Sequence, residues 1–145
     1  NDDDDPLGTA LDVAEDAPGE VREAVTSIQN VLSGDIDPNT VDLKNNGYVV
    51  TTLQAGLYHA LTAETAEEAI IDAVMMGGDT DTIAAVAGAV AGARFGGEAL
   101  PDRWLNEITE TDELTELSHS LASDTFGVSE DAEKMVATGK LDFQV

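Results

Sequence analysis

The chain has 145 residues, 42% of them hydrophobic, which is enough for one ordinary domain (1–145) with a core of its own. Thirty acidic residues against 6 basic ones give a formal net charge of -24, which argues against nucleic acid as a partner, because phosphate backbones are held by Lys and Arg. Cysteine is absent, so disulfides, thiolate metal sites and cysteine nucleophiles are excluded.

The apolar content is mainly alanine, valine and leucine, and aromatic residues are only 4%, a composition that suits closely approaching helices and an all-α fold. The acid excess reads as adaptation to very high salt, where a screening length of about 3 Å at ~1 M relieves self-repulsion. A halophile's cytoplasmic protein that weakens at low salt is the expectation. No stretch has the pattern of a signal peptide. The longest charge-free apolar run, Thr82 to Ala93, is far short of the roughly 20 residues that span a bilayer, so no membrane partner is expected.

Residues 1–6, Asn1 to Pro6, carry four successive aspartates before a proline and read as a frayed, disordered start or a cut point. A calcium loop there would need alternating ligands and a glycine turn. Between Gly19 and Gly34, Val21, Ala24, Val25, Ile28, Val31 and Leu32 follow the spacing of one helix face. Residues 35–47 hold a proline, three asparagines and a terminal glycine and read as a loop. A second helix is predicted from Tyr48 to Leu61. Thr65 and Glu68 form a capping box for a third, Ala66 to Met76, which Gly77 and Gly78 end.

The next helix, Thr80 to Phe95, carries Ala84, Gly88, Gly92 and Gly96 at four-residue intervals. Each interior glycine costs about 1 kcal/mol relative to alanine, so the stripe predicts backbone-to-backbone packing of a buried central helix. The same small-residue spacing pairs membrane helices, a reading that the helix length disfavours. Pro101 then opens a helix with Trp104, Leu105 and Ile108 on one face, Trp104 as a core anchor. Two weaker helices are predicted, Asp112 to Ser123 and Glu130 to Thr138; the tail Leu141 to Val145 is unassigned.

The polar burst before the alanine-rich helix carries the chemistry. Asp79, Asp81 and Thr82 start a helix at positions that turn toward one point, and two carboxylates and a hydroxyl suit Mg²⁺, Mn²⁺ or Ca²⁺ better than zinc. The plainer reading is capping: Asp and Thr are favoured N-caps, and acids gain about 0.3–1 kcal/mol from the helix dipole. Gly77 and Gly78 allow a ligand to approach the backbone and, with free helix amides, could cradle a phosphate if a cation lies between it and the aspartates. His59 and His119 each stand alone in a helix and read as surface or packing residues. Glu130, Asp131 and Glu133 fit a helix start in an acidic protein, and Met75 and Met76 are expected in the core.

The string GGDTDTIAAVAGAVAGARFG, continued by ALPDRWL and preceded by NNGYVVTTLQAGLYHAL, resembles the C-terminal signature of the ADP-ribosylglycohydrolase family, which includes dinitrogenase reductase-activating glycohydrolase. The resemblance covers Gly47 to Leu105 well and the flanks loosely. It implies an all-α fold, two Mg²⁺ or Mn²⁺ ions with Asp79, Asp81 and Thr82 among their ligands, and ADP-ribose or an ADP-ribosylated protein or small molecule as partner. Gly47, Tyr48 and Val49 match a segment near the substrate. The implied reaction is hydrolysis of an N- or O-glycosidic bond at the anomeric carbon of ADP-ribose.

Family members also carry an N-terminal half with a Gly-Asp-Ala-type stretch and a Thr-Asp-Asp-Thr motif, and neither is found here. By resemblance the chain is the C-terminal part of the domain, the other metal ligands and a glutamate acid or base belong to the absent half, and no catalytic residue is assigned. Such a half is expected to pair with its other half or with a second copy. Two alternatives stand beside the enzyme. One is a non-catalytic metal- or nucleotide-binding or structural module, as in the jellyfish lens crystallins that the resemblance takes in; the other is a salt-adapted domain whose aspartates only cap a helix.

Overall fold

A computed structural model describes residues 6–126, and their side chains from 11 to 121. Among the described residues are seven α-helices and no strand, the all-α class expected from composition. The expected helix at Glu130 and the tail lie outside these residues, as do the first five residues of the acidic start. The first helix, α1 (Pro6–Glu15), stands where no element is predicted. Leu7, Ala10, Leu11 and Ala14 do carry helical spacing, and proline at a first helical position is tolerated because its missing N–H has no helix partner anyway. The neighbouring run of aspartates masks that signal.

In α2 (Gly19–Leu32), Ala24, Val25, Ile28 and Val31 are buried as their spacing predicts, and Gly34 follows in the left-handed region at φ 82. Arg22 turns back to the end of α1, its Nε donating to the Ala14 carbonyl at 3.3 Å. Carbonyls that a helix end leaves without partners are thereby met.

The core layer consists of α3 (Val49–Thr62), α4 (Ala66–Met75) and α5 (Thr80–Phe95). Short connections make successive helices antiparallel, so α3 and α5 begin at the same end and both pack on α4. Their shared core is built from Ala55, Ala60, Ala66, Ala69, Ala73, Ile83, Ala87 and Ala91, all fully buried. Small side chains let the helix axes approach while the interior stays densely filled. At the far end Arg94 donates to the carbonyls of Ala60, Leu61 and Ala63 at 3.0, 3.0 and 2.8 Å, closing the C-terminus of α3 from α5.

Close packing does occur on α5, but not along the glycine stripe. A Cβ on Gly92 would meet nothing within 4 Å, and one on Gly88 would sit at an ordinary 3.6 Å from Ile70. The tight approach is made by Gly56 of α3, whose Cβ would lie 2.5 Å from Val86 Cγ1 and 3.3 Å from the Ala87 amide nitrogen. Nor is α5 enclosed on all sides: Ile83, Ala87 and Ala91 form its buried face, while Ala85 and Ala89 are exposed.

Smaller expectations are also corrected. Thr65 caps α4 by accepting from the Glu68 amide at 3.1 Å, but the return arm of the box reaches the Glu64 amide at 2.9 Å, one residue early. Met75 is 77% exposed, off the face of α4 that carries the buried Ala66, Ala69 and Ala73; Met76, half-buried, does pack on the core. Pro101 is the N-cap of a short α6 (Asp102–Leu105), where Trp104 is half-buried under the Arg103 guanidinium, 5.2 Å from its ring centre. In α7 (Thr111–Phe126), where a helix from Asp112 to Ser123 is predicted, Leu114, Leu117 and Leu121 are exposed. No helix of the described residues is long and apolar enough to cross a membrane.

Candidate metal and substrate site

At the end of the core layer where α3 and α5 begin, the chain between α4 and α5 reverses through Gly77 (φ 72) and Gly78 (φ 67). Two successive left-handed residues are cheap only for glycine, and this turn delivers Asp79 to the N-cap of α5. An aspartate there ordinarily accepts from a helix amide two or three residues on. Asp79 makes no such bond. Its Oδ1 instead accepts from the Thr82 hydroxyl at 2.9 Å, and α5 starts without a side-chain cap.

The loop ahead of α3 covers this turn. Leu43 packs on the core beneath it, Asn45 donates through Nδ2 to the Met76 carbonyl at 2.8 Å, and the Asn45 carbonyl accepts from the Asp79 amide at 3.3 Å. Gly47 (φ 74) then passes so close that a Cβ would lie 3.1 Å from Asp79 Oδ2. Asn46 Oδ1 accepts from the Tyr48 amide at 3.1 Å and from the Thr51 hydroxyl at 2.8 Å, fixing the entry into α3. The Tyr48 hydroxyl donates to Glu20 Oε2 at 2.6 Å, and that bond, together with the charge of Glu20, holds the phenol above its usual pKa.

Of the residues singled out in the sequence, Gly47, Gly77, Gly78, Asp79 and Thr82 are therefore brought together. Asp81 stands in the first turn of α5, exposed to solvent, and Tyr48 and Val49 are 51% and 72% exposed at the start of α3. Among the described residues no three His, Asp or Glu side chains gather as a metal-binding group. The donors are the Asp79 carboxylate and Thr82 hydroxyl at the turn and the exposed Asp81 carboxylate in the first turn of α5, hard oxygens suited to Mg²⁺ or Mn²⁺ but too few to complete a coordination sphere. Two helix N-termini start at this end, and the positive ends of their dipoles favour an anion.

Asn45, Asn46 and Glu20 were legible in sequence only as turn formers and a surface acid. The one available signal was the pair of asparagines before a glycine at a helix start; Glu20, 28 residues from Tyr48, carried none. His59 lies away from this end, in the last turn of α3, with its Nε2 buried and unpartnered.

A family profile described as ADP-ribosylglycohydrolase matches residues 1–132. Similar proteins include "ADP-ribosylarginine hydrolase Tri1" of Serratia proteamaculans, 30% identical over 80 residues, which cover 55% of this chain and 22% of that protein. "ADP-ribosyl-[dinitrogen reductase] glycohydrolase" of Rhodospirillum rubrum is 35% identical over 65 residues, 45% of this chain and 22% of that protein. "ADP-ribosylhydrolase ARH3" of Mus musculus is 40% identical over 60 residues, 41% of this chain and 16% of that protein. The chain thus spans less than a quarter of the length of these relatives. No solved structure matches it. With most of its length matched by one profile and Gly77, Gly78 and Asp79 of the signature folded into one turn, the chain belongs to the ADP-ribosylglycohydrolase family.

Proposed function

We propose that this chain contributes the α5 end of a divalent-metal centre that hydrolyses the glycosidic bond of ADP-ribosylated substrates. The observation that carries the reading is the Asp79 carboxylate: it occupies a capping position without capping, and Thr82 holds one of its oxygens. A helix start that needed only a cap would use it as one. Asp79 and Asp81 hold Mg²⁺ or Mn²⁺, and Thr82 either orients Asp79 or joins the ligand set. An ion held there would supply Lewis-acid polarisation and a template for the substrate hydroxyls and a water. Gly47, Gly77 and Gly78 let the loop and the turn close on each other around Asp79, which brings their backbone to the substrate side, and the uncapped amides of α5 face its anionic part. Tyr48 and Val49 are substrate contacts from the start of α3. The remaining ligands and the acid or base come from residues that the described chain does not place beside Asp79.

The names of the relatives support an ADP-ribosyl group on arginine or on another protein side chain as the substrate. We read the chain as one domain, and its acid excess as adaptation of a cytoplasmic protein to high salt. A non-catalytic module is the second reading, favoured by the incomplete set of ligands. Calorimetric titration of Mn²⁺ with and without ADP-ribose, at high salt, tests the proposal on the wild type and on Asp79→Ala/Asp81→Ala. Binding lost in the variant supports the site; equal binding overturns it. Release of ADP-ribose from ADP-ribosylarginine, by this chain alone or mixed with a family N-terminal half, separates enzyme from module.

A further inference from the structure

We infer that Asn45 is a positioning residue for Asp79, setting the height and direction from which its carboxylate enters the site; the inference rests on the metal reading proposed above. The reversal through Gly77 and Gly78 leaves two backbone groups outside helical bonding, the Met76 carbonyl at the end of α4 and the Asp79 amide at the start of α5. Asn45 meets both. Its side-chain amide donates to Met76 at 2.8 Å and its own carbonyl accepts from Asp79 at 3.3 Å, so one residue bridges the two sides of the turn.

The contact between loop and turn is also steric. A Cβ on Gly78 would lie 2.3 Å from the Asn45 carbonyl oxygen and 2.8 Å from Asn45 Cγ, so the turn seats directly on the asparagine. Two residues further on, Gly47 limits Asp79 Oδ2 from the same loop. Thr82 orients the carboxylate about its own bond, but among the described residues only Asn45 ties the Asp79 backbone to a neighbouring element. The Asn45 side chain enters these contacts as a donor through Nδ2, and its main-chain carbonyl is taken up by the Asp79 amide, so both contacts serve position and not ligation.

Partners that hold a metal ligand in place typically cost about 10–100-fold in metal affinity when mutated. The experiment compares Mn²⁺ affinity, by calorimetry and by the electron paramagnetic resonance of bound Mn²⁺, in the wild type, Asp79→Ala, Asn45→Ala and Asn45→Leu. Leucine keeps the bulk over Gly78 and removes only the donor. Amide hydrogen exchange at Asp79 and within α2 is read on the same metal-free samples. The expected result is a loss of about 10-fold in affinity in both Asn45 variants, with faster exchange at Asp79, unchanged protection in α2 and unchanged helical circular dichroism. Wild-type affinity and exchange in Asn45→Leu, while Asp79→Ala loses binding, would overturn the role of Asn45 and leave the metal site standing. Equal Mn²⁺ binding by wild type and Asp79→Ala would overturn the metal reading itself. Should Asn45→Ala lose its helical signal, Asn45→Leu decides.

Discussion

At the residue scale, glycines that look alike in sequence have opposite structural roles. Gly78 sits at φ 67 with the Asn45 carbonyl where its Cβ would be, whereas Gly92 lies within α5 with open space around it. Gly78→Ala is expected to destabilise by about 2 kcal/mol through a strained backbone and a displaced loop. Gly92→Ala should stabilise by about 0.5–1 kcal/mol, because it only removes freedom from the unfolded chain. Chemical denaturation of the two variants at fixed salt checks both signs.

His59 makes a second prediction at this scale. Burial holds its imidazole below the ordinary 6.5, partly offset by the charge of Asp72. With the folded value depressed, the unfolded chain binds more protons between the two values, so stability rises with pH across that window. The protein should lose stability as pH falls below about 6.5, with no further loss from this group once pH is below the folded value. Denaturation midpoints between neutral and mildly acid pH should show a flatter slope in His59→Gln than in the wild type. An equal slope in both would remove His59 as the cause.

At the element scale, the pairing of α3 with α5 is set by one missing side chain. Gly56→Ala would drive a methyl group to 2.5 Å from Val86 Cγ1 and 2.7 Å from its Cβ, neither of which is the far end of a flexible chain. The expected cost is about 1–3 kcal/mol from overpacking. Val86→Ala should recover part of it, since the clash is with that side chain, and a double-mutant cycle by thermal melts measures the coupling. If the two effects simply add, the contact between α3 and α5 is not the tight one. The stripe of Gly88, Gly92 and Gly96 suggested the right helix and the wrong face: spacing shows which residues share a stripe, but the neighbour that meets it is chosen by the rest of the fold.

At the scale of the whole molecule, charge dominates. Among the described residues only two ion pairs form, Lys44 with Asp42 and Arg103 with Glu67, both exposed. Arg22 and Arg94 spend their donors on the carbonyls that end α1 and α3. Most of the acidic surface therefore has no cation from the chain itself, and on the proposed reading of salt adaptation dissolved salt would supply the screening. Raising KCl from about 0.1 M to about 1 M shortens the screening length from about 10 Å to about 3 Å. The melting temperature should rise clearly over that range; a flat or falling curve would overturn the reading of salt adaptation.

The sequence by itself determined the helical class, the extents of α2 to α5 and the glycine turn before α5, because period, glycine pairs and motif order are local properties of the chain. The structure places α2 at Gly19–Leu32 and α5 at Thr80–Phe95, against a predicted stretch between Gly19 and Gly34 and a predicted Thr80 to Phe95. What tertiary structure decided is which groups meet across the chain: Asn45 on Gly78, Gly47 on Asp79, Tyr48 on Glu20, Gly56 on Val86. It also decided that Met75 faces solvent and that Asp79 stands at a cap without capping. The reason is that a local pattern fixes the faces of an element, whereas partners distant in sequence meet only once the helices have packed.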